Sequence, residues 1–247
     1  MSLWRARSNP LAWWWAMLTL VSLVNIALWF ALYHELHTQA VGSMQLMLLL
    51  CAAYVFGCAF RSVLPRADVQ RICLFDTWLS SVLIGRSVAT VAEVCFVAQW
   101  AIILHQLGAI TGSDAVLTVA WIIVPLIVIA ECFSWYAVLT THYLYNAIEN
   151  SLWAVAFFLV GLALCRLLPE FNGPARVVLM LSIAGIVAYL AFLMTIDVPM
   201  YLSRWRTGHA EGNQLLGLLE GLRDVSTRWI RTHDIVHWKG EIAWMSL

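Results

Sequence analysis

The chain has 247 residues, of which 62% are hydrophobic and only 11% charged, and its formal net charge is zero. A soluble domain carries about 25% charged residues, so a water-soluble globular fold is excluded. The balanced charge also removes the electrostatic basis for a nucleic-acid partner.

In chain order, Arg5 and Arg7 precede a first apolar run over roughly 11–33. That run is too long for the apolar core of a cleavable signal and lacks a small-residue cleavage site, so it reads as a retained span. Crossing ~30 Å of hydrocarbon takes about 20 residues in a helix. Five more runs reach that length, at 42–60, 86–108, 115–138, 148–168 and 177–199. The predicted fold is therefore all-α: a polytopic transmembrane bundle of six spans over residues 1–203, followed by a polar tail over 204–247.

The tail has its own pattern. Leu215, Leu218, Leu219, Leu222, Val225 and Trp229 recur at helical spacing, with Glu220, Arg223, Asp224, Arg228 and Arg231 elsewhere. This predicts an amphipathic helix suited to the inner leaflet, to a partner or to the protein's own loops. The closing EIAWMSL resembles the opening of a seventh span.

Basic residues set the expected orientation. With six spans, the N-terminus, the connection 61–85 with Arg86 flanking it, and the tail fall on one side, which holds twelve basic residues, while the other side holds only Arg166 and Arg176. The positive side faces the cytoplasm, so both the N-terminus and the tail are expected inside, in a multi-pass protein of the cell inner membrane. Tryptophans at 13–15, 29 and 205 match the interfacial belts of such a protein. Cys51, Cys58, Cys73, Cys95, Cys132 and Cys165 form no CxxC, and most sit in apolar runs as small hydrophobes.

Two spans carry an acid. Glu93 interrupts the third and Glu131 the fourth. An ionisable group in hydrocarbon costs roughly 3 kcal/mol or more and points to function. At ~1.5 Å per residue, both lie roughly 10 Å from the cytoplasmic boundary. His142, Asn146 and Glu149 follow at i, i+4, i+7 in THYLYNAIEN, and Asp197 closes span six on the same side. Pro125, six residues before Glu131, is expected to kink span four or simply to be tolerated there.

Glu93, Glu131, His142, Glu149 and Asp197 are thus the candidate catalytic set. Two carboxylates and an imidazole can act as general acid and base, or Glu93, Glu131 and His142 can hold a divalent metal. The plainer alternative is an internal network pairing Arg86 with Glu93, and Asn146 or Tyr136 with Glu131. In the tail, His233, His237 and Glu241 recur every four residues, a second metal-ligand spacing. No phosphate-binding loop, dinucleotide turn, nucleophile elbow or zincin motif occurs.

Three functions fit. The one-sided depth of the acids favours a membrane-embedded enzyme acting on a lipid or other apolar molecule. The tryptophan content and the lack of a sharp motif suit a non-catalytic subunit of a larger membrane complex. A proton-coupled transporter would need related halves, and the acids do not correspond between spans one to three and four to six. Membrane lipids and other membrane proteins are the expected partners.

Overall fold

The computed structural model describes residues 10–246, apart from the side chain of Trp244. Arg5 and Arg7, used above for orientation, lie outside the described residues. Six helices are long and apolar enough to cross a membrane. They are α1 (Pro10–Leu36), α2 (Ser43–Val63), α3 (Val82–Thr111), α4 (Asp114–Thr140), α5 (Tyr143–Leu167) and α6 (Gly173–Phe192), the last running on into later turns. Large apolar side chains stand exposed along these helices, Leu20, Leu49, Val91, Trp121, Phe158 and Leu181 among them. Lipid, not water, is the solvent that accepts such a surface. The chain is a multi-pass, all-α membrane protein.

The chain divides into two compact units, one of residues 1–95 with 217–247 and one of residues 96–216, the division falling inside α3. In the first, Trp29 and Trp15 donate their indole N–H groups to the carbonyls of Leu48 and Val63 at 3.2 and 3.1 Å, which ties α1 to α2. A Cβ on Gly57 of α2 would stand 2.6 Å from the Cβ of Ala92 on α3. Glycine is required at that crossing, as small residues are wherever membrane helices approach closely.

The connection after α2 is more than a loop. It forms β1 (Arg66–Ala67) and β2 (Ile72–Cys73), antiparallel, with Arg71 between them in the left-handed region. The tail contributes α8 (Leu218–Thr227) and then β3 (Ile230–Arg231), which pairs parallel with β2. Two short helices follow, α9 (Ile235–Trp238) and α10 (Ile242–Met245), the latter formed by the EIAWMSL segment. Leu11, Ala67, Ile72, Leu74 and Trp238 bury one another, so the start of α1, the β1–β2 connection and the tail share one small core.

In the second unit, α4 and α5 form a tight hairpin. Thr141 turns left-handed to end α4, its N–H on the Ala137 carbonyl, and His142 in extended backbone starts α5. Most of the stretch expected to connect these spans is therefore helix, and α5 begins at Tyr143 rather than near 148. Ile123, Ile127, Phe157, Val160 and Leu164 belong to the core of this unit, with Trp153 stacked on Phe157. Helix α4 continues through Pro125 without a break.

The sixth span also differs from its expected form. Helix α6 passes into a π-turn over Leu193–Asp197 and then into α7 (Val198–Ala210), 38 residues of continuous helix. Pro199 explains the wide turn. Its ring clashes with the carbonyl four residues back and it donates no hydrogen bond, and a π-turn absorbs the defect. Asp197 thus lies within a helix instead of closing one.

Candidate functional site

The second unit gathers a polar cluster where its helices turn. Glu131 stands nine residues before the end of α4 and Glu149 six residues after the start of α5. At ~1.5 Å per residue both lie roughly 9–14 Å from the hairpin turn. Both therefore sit within about three turns of the hairpin, on antiparallel neighbours. The two carboxylates are 3% and 7% exposed, and oxygens of the two lie within 4.8 Å of one another.

Helix α5 supplies the rest of the polar face. Asn146, Glu149 and Asn150 stand at i, i+3 and i+4, the spacing that places side chains on one side of a helix. The Asn146 amide donates to a Glu149 oxygen at 3.2 Å, and the Asn150 amide donates to the Asp197 carboxylate at 2.6 Å. The π-turn carries Asp197 to this position, where it is buried. Ser134, one turn after Glu131 on α4, is fully buried. Its hydroxyl and the Asn146 amide oxygen meet no hydrogen-bond partner among the described residues.

An apolar groove of about 250 Å³ lies between α5 and α7. Leu144, Ala147, Ile148 and Leu152 of α5 line it, with Val198 and Leu202 of α7. Leu144, Ile148, Ser151 and Val155 recur at i, i+4, i+7 and i+11, a stripe of α5 apart from the one that carries Asn146 and Glu149. The groove is smaller than the roughly 300–1,000 Å³ sites that enclose drug-sized ligands, so its size suits a segment such as an acyl chain.

The other candidates divide plainly. His142 precedes α5 as its capping residue, not as part of its polar face, and its ring meets the edge of Tyr145 with centroids 5.0 Å apart. Glu93, in the first unit, receives Arg61 at 3.3 Å and Arg86 at 3.2 Å. The pairing of Arg86 with Glu93 is thus realised, while Asn146 is bonded to Glu149 rather than to Glu131.

The tail trio is not aligned on one helix. Helix α9 spans only Ile235–Trp238. His233 holds the Leu74 carbonyl at 3.0 Å, His237 meets the Thr232 hydroxyl at 3.4 Å, and buried Glu241 accepts from Gln70 at 3.0 Å. His233 and Glu241 thus join the tail to the connection after α2, while His237 stays within the tail. The six cysteines are all free thiols.

Asn150 and Ser134 are the site residues that the sequence pattern did not expose. Asn150 sits at i+4 from Asn146 and was legible once α5 was taken to begin at Tyr143. Ser134 at i+3 from Glu131 has no signal beyond that spacing. No protein-family model matches the chain, and neither the curated proteins nor the solved structures hold a match to it.

Proposed function

We propose that the protein is a membrane-embedded enzyme acting on a lipid or other apolar molecule, with Glu131 and Glu149 as its acid–base pair. The carrying observation is the approach of these buried carboxylates to within 4.8 Å on facing helices. Two carboxyl groups that close titrate as one unit and can hold or pass a proton at a reacting atom. The groove between α5 and α7 is apolar, as a surface for a lipid segment has to be. Asp197, held by Asn150, is assigned the substrate headgroup.

Purified protein in lipid vesicles prepared from a total membrane extract tests this reading. Mass spectrometry of the lipids should show a species converted by the native chain and left unchanged by Glu131→Gln and Glu149→Gln, with both variants folded. Identical lipid profiles for all three proteins would overturn it. Unchanged lipids together with a lowered melting temperature for both variants would support the scaffold reading, which the two arginines on Glu93 favour.

The chain is also proposed to lie with its tail in the cytoplasm and α8 on the inner leaflet. Leu218, Leu219 and Leu222 are exposed on α8, while Val225 on the same helix is buried. Arg71 holds Asp224 of α8 at 2.7 Å, and so ties α8 to the connection that follows α2. That connection begins where a span ends, at the level of the headgroups. Arg223 and Arg228 suit anionic lipid there.

A further inference from the structure

We propose that Glu131, Glu149 and Asn146 form an all-oxygen site for a divalent cation inside the second unit. The inference rests on the reading of Glu131 and Glu149 as a working pair and names what that pair binds. Oxygens that share one ion at ~2.1–2.4 Å stand between about 3 Å and 4.8 Å apart, according to whether they are adjacent or opposite. The Glu131 and Glu149 oxygens lie within 4.8 Å of one another, no farther apart than two ligands of one ion.

Asn146 is the independent observation. Its side chain is nine-tenths buried, at 6% exposure, and its amide nitrogen rests on Glu149. The amide oxygen on the same carbon is therefore held beside the carboxylate, enclosed and without a hydrogen-bond partner. A buried carbonyl oxygen left so costs roughly 1–3 kcal/mol, and a cation between it and the acids satisfies it. The Ser134 hydroxyl, one turn from Glu131, is equally enclosed and without a hydrogen-bond partner among the described residues. Carboxylates and an amide oxygen, with no thiolate or imidazole, select Mg²⁺, Mn²⁺ or Ca²⁺ over Zn²⁺ or Cu²⁺.

Mn²⁺ alone is the probe, titrated into the full chain in lipid nanodiscs and followed by the electron paramagnetic resonance of the free ion. Native protein should bind one Mn²⁺ per chain, saturably and in competition with Mg²⁺ or Ca²⁺. Glu131→Gln, Glu149→Gln and Asn146→Ala should each weaken binding by roughly tenfold or more. Asn146→Asp should restore or tighten it, which a merely structural asparagine would not do. Absence of saturable binding to the folded native chain overturns the proposal, as does unchanged affinity in Asn146→Asp and Asn146→Ala together. Mn²⁺ binding with this pattern but unchanged lipids keeps the cation site and removes the enzyme reading. Lipid conversion lost in Glu131→Gln with no Mn²⁺ bound does the reverse.

Discussion

Glu93 and Glu131 look alike in sequence, each a lone acid in an apolar run, yet their surroundings assign them different work. Glu93 is held by Arg61 from the last turn of α2 and by Arg86 from the start of its own helix. Hydrogen bonds to a charged group contribute about 1.5–3 kcal/mol. Glu93→Gln should therefore lower the stability of the native chain by that amount, seen as a reduced melting temperature in detergent. An unchanged melting temperature would show that the arginine contacts contribute nothing. The arginine at i−7 was legible in the sequence, because two turns of helix return a side chain to the same face. Arg61 was not, because it arrives from another helix. Cross-helix partners of this kind depend on packing that no local pattern records, and the same holds for Asn150 with Asp197.

At the scale of elements, the spans were legible because each is a run of at least about 20 apolar residues, and nothing else in a chain looks like that. What escaped was everything built from short pieces. Strands β1, β2 and β3 are two residues each, too short for any alternation to appear. The π-turn before Asp197 had one signal, Pro199 inside an apolar helix, and it moves the acid from the end of a span into its interior. Helix α8 was legible as periodic leucines, although it covers Leu218–Thr227 and stops before Trp229, whose indole N–H bonds Asp76 at 3.0 Å. Its proposed place on the leaflet makes a prediction. An environment-sensitive fluorophore at Leu219→Cys should report an apolar setting in vesicles containing anionic lipid, and collisional quenchers on lipid tails should reach it. The same label at Glu220→Cys should report water. Equal, aqueous spectra at both positions would place the leucines elsewhere. Replacing Leu218 and Leu222 by Glu should leave the spans inserted while abolishing the apolar signal at 219.

At the scale of the whole molecule, sidedness has two independent supports. One is the charge asymmetry, twelve basic residues against two. The other is the small core of the first unit, in which Leu11 at the start of α1, Ala67 after α2 and Trp238 in the tail bury one another. Residues in one core cannot lie on opposite faces of a bilayer, so the start of span one, the connection after span two and the tail share a side whatever the charges say. The connection between α3 and α4, at Gly112 and Ser113, then falls on the other side. The sixth span is longer than a crossing needs. Its 38 residues of continuous helix reach ~57 Å, more than the ~30 Å of hydrocarbon that one span has to cross. Reporter fusions after Ser113 and after Thr207 should therefore report opposite sides, with the Thr207 fusion active only for a cytoplasmic reporter. The core adds a sharper test of its own. Cysteines placed at Leu11 and Trp238 in a chain otherwise free of cysteine should cross-link with a short bifunctional reagent in intact membranes. Their failure to do so in a folded chain would overturn the shared side, and matching reports from the two fusions would overturn the proposed cytoplasmic tail.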